Sequence, residues 1–465
     1  MALAAALRLA VAFSTVDAPG DGPTRAALGR QWVEAPRLVR DGHWLPFGEV
    51  MVGLANLLVP DPLWAARAPS LVTGSLSPLL LAVLAAGLWG RRAGLAAGLL
   101  LALSPIHVAL SASALIDAPS LGFLLLALLA SRRLAGAERP VRPLLGLALA
   151  GALATGTRYE SWLLLPVVAL HQLLAHGRPG RTTLAFLALL PVPVFWTATA
   201  LGGPAGLLDA FAYVTASGAA VGGAAVSPLE GLRIAALKLL ALLGPATATL
   251  APVGLLAGLA AGGRAARAEA AAGLLLLAGF LALLVALAIG RGPSLVDRYA
   301  LDAAVLALPL ATAAVREALR PARRGLALAL ALAGSTALAT WAHPPQLYLQ
   351  RAFPPEVVEL ARFLDRERPA GAALLFTRAG WLSTYVPLLH PLGREEYRIV
   401  SWYLPDTALR DFLRRARPRL LITRPGDEAL LERVRAAGGE PGPPFARFRA
   451  LEVRPLALPE RVGAD

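Results

Sequence analysis

Apolar runs long enough to cross a membrane recur from the first residues of the chain to about residue 342. A spanning helix needs roughly 20 mostly apolar residues, and only a helix or a closed barrel satisfies every backbone polar group inside hydrocarbon. The runs fall near 2–17, 67–89, 93–110, 114–130, 143–157, 161–176, 182–201, 232–261, 271–290, 299–315 and 325–342. The pattern predicts an α-helical polytopic membrane protein with about eleven spans. Composition supports it. Of 465 residues, 57% are apolar and 16% are charged, and the mean hydropathy is +0.61. Too few charges are present to wet the whole surface, which argues against a soluble enzyme, a fibrous protein or a disordered chain. There is no cysteine, so a disulfide framework, a thiolate metal site and a cysteine nucleophile are excluded. The first run lacks a basic leader and a small-residue cleavage site, and is expected to be retained as the first span.

The net charge of +14 and a pI near 11.2 would ordinarily suggest nucleic acid. The placement of the charges argues otherwise. With the N-terminus in the cytoplasm, the inner loops hold 14 arginines, from Arg91 and Arg92 through Arg132, Arg133, Arg139, Arg142, Arg178, Arg181, Arg264 and Arg267 to Arg316, Arg320, Arg323 and Arg324. Against them stand only Glu138, Glu269 and Glu317. Short loops rich in arginine stay in the cytoplasm. The expectation is an integral, multi-pass protein of the cell membrane that binds no nucleic acid.

Two outer segments are long: 17–66, and a Gly- and Ala-rich stretch over about 201–233. From residue 351 onward 19 basic and 15 acidic residues restore an ordinary soluble density. In this tail EVVELARFLDRE has helical periodicity, AALLFT and RLLIT read as strands, and ALLERVRAAGG reads as a helix ending at glycine. Two domains are expected: residues 1–349 in the membrane, and residues 350–465 as a small α/β domain on the extracytoplasmic side.

Ionisable groups beside apolar runs mark candidate sites, because charge at membrane depth is expensive. Asp117, His107, Arg158, Glu160, Asp297 and Arg298 all fall at the outer ends of helices, on the same side as Asp21 and Glu49. Each also has a plain structural reading. Asp21, Glu49 and Asp117 suit helix starts. Arg158 with Glu160, and Asp297 with Arg298, suit local ion pairs. Arg67 suits a snorkelling cation. His43, Trp44 and His107 suit the membrane interface. Their convergence on one face says more than any single member. The chain has no GxxxxGK[ST], no HExxH and no GxSxG, and GDGPTRAALG follows no strand as a dinucleotide fingerprint must.

The order of these residues resembles that of the GT-C superfamily of membrane glycosyltransferases. The nearest group holds the protein O-mannosyltransferases and the aminoarabinose lipid A transferases. The matching elements are Asp21 after the first span, the helix-like RAALGRQWVEAPRLVRDG, Trp44-Leu45-Pro46 followed by Glu49, and Arg67-Ala68-Pro69-Ser70. RRAGLAAGLLLALSPIHVALSASALIDAP then ends at Asp117, and RYE from Arg158, DRYALDAAVLALP from Asp297 and a soluble tail follow. Gly22 and Val50-Met51 stand where the family often has a second acid and Lys-Pro.

The resemblance implies a membrane glycosyltransferase that moves a sugar from a polyprenyl-phosphate donor to a lipid, glycan or protein acceptor on the extracytoplasmic face, with inversion. It implies Asp21 as the carboxylate base and Glu49 with it in the catalytic set. Asp117, His107, Arg67, Arg158, Glu160, Arg298 and Tyr299 become substrate-binding candidates, the arginines because their fork matches a phosphate. No cofactor is implied, and a divalent cation stays open. Competing readings are a transporter or flippase of lipid-linked sugars, an oligosaccharide polymerase or ligase, and a non-catalytic membrane scaffold. Gathering of the charges at one face weighs against the flippase, and the absence of arginine from the long 202–230 loop against the polymerase or ligase.

Overall fold

The computed structural model describes residues 1–18, 20–36, 38, 44–176, 179–206, 208, 225–261, 264–292, 295, 297–318, 348–368, 372–377, 379–390, 392, 396–400 and 406–458. Helix α1 (Ala2–Ser14) leads into a two-residue strand β1 (Val16–Asp17), then α2 (Asp21–Glu34) and α3 (Pro46–Asn56). Helix α4 (Pro62–Trp89) has 28 residues, about 42 Å at 1.5 Å per residue. It starts where the Asp61 carboxylate accepts the Trp64 N–H at 2.8 Å, an N-cap followed by proline in the first turn. Then come α5 (Arg91–Leu103), α6 (Pro105–Ala112), α7 (Asp117–Gly136), α8 (Val141–Thr155), α9 (Leu164–His176), α10 (Pro179–Leu189) and α11 (Pro191–Thr199). Three more helices, Pro228–Ala261, Arg264–Arg291 and Leu301–Ala318, follow among the described residues.

Among the described residues, three helices are long and apolar enough to cross a membrane: Pro62–Trp89, Asp117–Gly136 and Gly273–Arg291. The count rises to five if each of two bent pairs forms one span. The expected runs at 93–110 and 182–201 are these bent pairs, broken by 60° between α5 and α6 and by 43° between α10 and α11. Pro105 and Pro191 account for the breaks, since proline removes an N–H and clashes with the preceding turn. Ser104 adopts the extended conformation (φ −63°, ψ 114°) favoured before proline. The apolar helices at 2–14 and 141–155 are shorter than a full span. The expected run at 325–342, most of the 201–233 segment and His43 lie outside the described residues.

The C-terminal region is an α/β unit, as its periodicities suggest. Strands β3 (Leu374–Thr377), β4 (Tyr397–Val400), β5 (Leu420–Thr423), β6 (Glu440–Pro441), β7 (Ala446–Phe448) and β8 (Leu451–Ala457) form one sheet. The order is β4-β3-β5-β8-β6, with β7 also on β8. The β3 pairings are parallel and those of β8 antiparallel. Side chains alternate across the sheet. Leu374, Phe376, Ile422 and Val453 pack with Val357, Leu360 and Leu364 of the Pro355–Glu367 helix. On the other face Leu375, Leu421 and Leu456 pack with Leu409 and Phe412 of Asp406–Ala416 and with Leu430, Leu431 and Val434 of Glu428–Ala436.

The two parts are laced together at the exit of α1. Strand β1 pairs antiparallel with β2 (Leu349–Gln350), which leads into the C-terminal unit. The Tyr385 hydroxyl donates to the Asp17 carbonyl at 2.7 Å, and the Gly20 N–H donates to Thr384 Oγ1 at 3.1 Å. Gly20 has φ +136°, a conformation that side-chain-bearing residues rarely adopt. The chain therefore turns sharply at Gly20 and enters α2 at Asp21.

Candidate active site

Four segments far apart in sequence bring their charges to one place. Asp21 opens α2, Asp117 opens α7, Arg158 and Glu160 flank the start of a 3-10 turn (Tyr159–Leu163), and Arg298 and Tyr299 lie in a second such turn (Asp297–Ala300). Arg298 Nη2 meets Asp21 Oδ2 at 2.6 Å, and Arg298 Nη1 lies 4.0 Å from Asp117 Oδ2. Arg158 Nη1 donates to Asp117 Oδ1. Its other edge grips Glu160 with two bonds, Nη2 to Oε1 at 2.5 Å and Nε to Oε2 at 3.1 Å. The Cζ atoms of Arg158, Arg291 and Arg298 lie 5.6, 5.1 and 5.4 Å from the centre of the Tyr299 ring. Cations are attracted to such a ring face.

The helix-start readings of Asp21, Glu49 and Asp117 hold as far as position goes, since each lies in the first turn of its helix. For Asp21 and Asp117 the structure adds pairing with arginine. Glu49 is buried in α3 beside Gly48, and a Cβ at Gly48 would stand 2.9 Å from Arg25 Nη1, so the start of α3 abuts the Arg25 side chain. Asp297 sits in the same 3-10 turn as Arg298. Trp44 lies under Arg25, whose Cζ is 4.0 Å from its ring centre.

Burial alone would push the Asp21 carboxyl up, but the charges of Arg298 and Arg25 outweigh it and hold it below the ordinary Asp value. Glu160 behaves alike: burial raises it, and Arg158 lowers it further. Burial works against the Arg25 cation and brings its pKa down to about 10, with Asp21 opposing that fall. Arg158 is held above its usual value, because Asp117 and Glu160 overcome the effect of its burial. The site therefore holds Asp21, Glu160, Arg25 and Arg158 in their charged forms at neutral pH. It is also under-bonded. Arg25 Nε and Nη1, Arg298 Nε and Asp117 Oδ2 are buried without a hydrogen-bond partner among the described residues.

Two candidates are not brought to this cluster. Arg67 is 1% exposed and does not snorkel. Its Nε donates to Asp17 Oδ1 at 2.7 Å, and its Nη1 to the carbonyls of Ala12 and Thr15, each at 2.8 Å. His107, wholly buried in α6, accepts through Nδ1 from Arg8 Nη2 at 2.6 Å. Both residues tie α1 to its neighbours.

Four residues here escaped the sequence reading. Asp17 is the partner of Arg67 and also accepts the Ala114 N–H at 2.6 Å. Arg25 stands four residues after Asp21 on α2, and that spacing on one helix face was a readable signal. Arg291 ends its helix in a run that carries no motif. Asp302 follows Tyr299 by three residues and feels the charges of Arg158, Glu160 and Asp117. The donor set does not suit a divalent cation: Asp21, Asp117 and Glu160 each face a guanidinium. Among the described residues no group of three His, Asp or Glu side chains is placed to hold a metal ion.

The family model of dolichyl-phosphate-mannose-protein mannosyltransferases matches residues 45–201. No curated protein matches the chain by sequence. Among solved structures, ArnT from Cupriavidus metallidurans bound to undecaprenyl phosphate is similar over 98% of this chain and 97% of that one, with a TM-score of 0.65 at 13% identity. The oligosaccharyltransferase AglB from Archaeoglobus fulgidus, in complex with an inhibitory peptide and a dolichol-phosphate, is similar over 97% of this chain and 73% of that one, with a TM-score of 0.55 at 12% identity. Residues 45–201 thus carry the sequence signature of that family model, and the chain shares its fold with ArnT and AglB over nearly its whole length.

Proposed function

We propose that the chain transfers a sugar from a polyprenyl-phosphate donor to an acceptor hydroxyl at the extracytoplasmic face, with inversion at the anomeric carbon. The observation that carries this reading is the meeting of Asp21, Asp117, Arg158 and Arg298 where four segments end at one side of the helical part. A scaffold has no need to gather costly charges there, and a flippase needs them along a path to both faces.

In the proposed reaction the acceptor oxygen bonds to the anomeric carbon as the bond from that carbon to the phosphate oxygen breaks. The acceptor proton passes to the Asp21 carboxylate, and the phosphate leaves with the bonding electrons as a lipid monoester. Arg298 has a dual part. Without donor it neutralises Asp21 at 2.6 Å. A bound phosphate competes for the same guanidinium and loosens its hold on Asp21, which becomes the better base as the donor arrives. Arg158 holds Asp117 in place, and Glu160 holds Arg158. Asp117 Oδ2 is left to accept a sugar hydroxyl, and Glu49 supports the wall of the site formed by α3.

The test is transfer by membranes containing the chain, supplied with labelled sugar on a polyprenyl phosphate or on a nucleotide. Transfer from the lipid donor alone supports the proposal. Transfer from the nucleotide sugar with none from the lipid contradicts it.

A further inference from the structure

The Arg25 guanidinium is the group at this site whose hydrogen bonding is least complete. The residue is 7% exposed. Its Nε and Nη1 are sealed from solvent and neither has a hydrogen-bond partner. The plane of the fork is nonetheless well defined. One face lies on Trp44, with Cζ 4.0 Å from the ring centre. The Nη1 edge lies against α3 at Gly48, where a Cβ would stand 2.9 Å away and displace it. An arginine held in place on both sides with its donors unmet is costly, because buried N–H groups lose their water and gain nothing in return.

The chemistry of the missing partner follows from what surrounds it. Arg298 Nε is a third buried donor without a partner. Three unmet donor nitrogens on two cations call for several acceptor oxygens carrying negative charge. A sugar hydroxyl fits poorly, since it must also donate and brings no charge. Asp21 does not fill the role. It meets Arg298 and acts on Arg25 through its charge, yet leaves Arg25 Nε and Nη1 unbonded. A phosphate supplies both the oxygens and the charge, and arginine binds it with a matching fork.

We propose that Arg25 is a phosphate-binding residue of this site, its Nε and Nη1 donors taking oxygens of the lipid phosphate beside Arg298, with Trp44 and Gly48 fixing the fork. This rests on the donor reading above and names a residue for it. Asp21 and Arg25 then divide the work of one helix turn: the acid faces the acceptor, and the cation faces the leaving group.

The test compares binding of undecaprenyl phosphate and undecaprenol to the purified full chain in lipid nanodiscs, read by native mass spectrometry. Wild type should prefer the phosphate by at least about tenfold. Arg25→Met should lose most of that preference, Arg25→Lys should keep part of it, and Asp21→Asn should bind the phosphate at least as well as wild type. An Arg25→Met protein with wild-type melting and wild-type preference overturns the assignment of Arg25 alone. A wild-type protein with no preference for the phosphate overturns the donor reading with it. Should Arg25→Met fail to fold, Gly48→Ala retains Arg25 and Trp44 while crowding Nη1. Weakened phosphate binding in that variant supports the proposal, and unchanged binding contradicts it.

Discussion

Two Asp–Arg pairs, whose aspartates stand four residues apart in the chain, are built to opposite ends. Asp17 and Arg67 are sealed, with side chains 2% and 1% exposed. Asp17 also accepts the Ala114 N–H, and Arg67 also donates to two carbonyls of the α1 exit. Asp21 and Arg298 are open, at 29% and 16% exposed. The difference separates a pair that holds the fold from a pair that waits for a ligand. Even Gly22 belongs to the contrast. A Cβ there would fall 2.4 Å from Asp17 Oδ2, so the sealed pair leaves no room for the second acid that the family often places after the first.

The largest effect should come from breaking the sealed pair. Asp17→Ala leaves Arg67 buried without its counter-charge, which should cost about 3–5 kcal/mol and be plain in thermal unfolding. Asp21→Ala, at the more open pair, should barely move the melting temperature. The reverse result would break the comparison. Next, Arg158→Met strands both Asp117 and Glu160. Stability should fall by about 3 kcal/mol, and transfer should fall with it. Arg158→Lys should recover little of either, because an ammonium lacks the two-edged fork.

A smaller effect concerns pH. In wild type Asp21 is held below the ordinary Asp value of about 3.9, since the charges of Arg298 and Arg25 outweigh its burial. Its ionised form is lost only as pH falls through that depressed value, so the acid limb of kcat/KM should lie below the ordinary range. Arg298→Gln removes the larger of these opposing charges, leaving Arg25 alone against burial, and raises the carboxyl. The limb of the residual activity should move up, as a pH–rate profile would show; an unmoved limb would detach Asp21 from the rate. The smallest effect is expected at the tether. Tyr385→Phe removes one hydrogen bond to the Asp17 carbonyl, worth about 1 kcal/mol, with transfer reduced by only a few fold.

What could be read from the sequence followed the reach of each signal. The C-terminal strands and helices were legible because the short apolar runs at Leu374–Thr377 and Leu420–Thr423, and helical periodicity at Pro355–Glu367, are local. Among the described residues three to five of the spans were legible as apolar runs, but the bends were not, since Pro105 and Pro191 break runs in which a membrane helix tolerates proline. Asp21, Asp117, Arg158 and Arg298 were legible through their order along the chain and their common side. The snorkelling reading of Arg67 fails because its partner Asp17 lies 50 residues away, and no local pattern links them. The pairing of His107 is hidden for the same reason, its partner Arg8 lying in the first helix.

The central claim is that the open pair serves chemistry, and one variant tests it most directly. Asp21→Asn keeps the size of the side chain and removes its basicity. The measurement is sugar transfer from a polyprenyl-phosphate donor by the purified variant in nanodiscs, with its melting temperature recorded beside it. A fall of about 100-fold or more at unchanged melting temperature is the expected result. Wild-type turnover by a folded Asp21→Asn protein would contradict it.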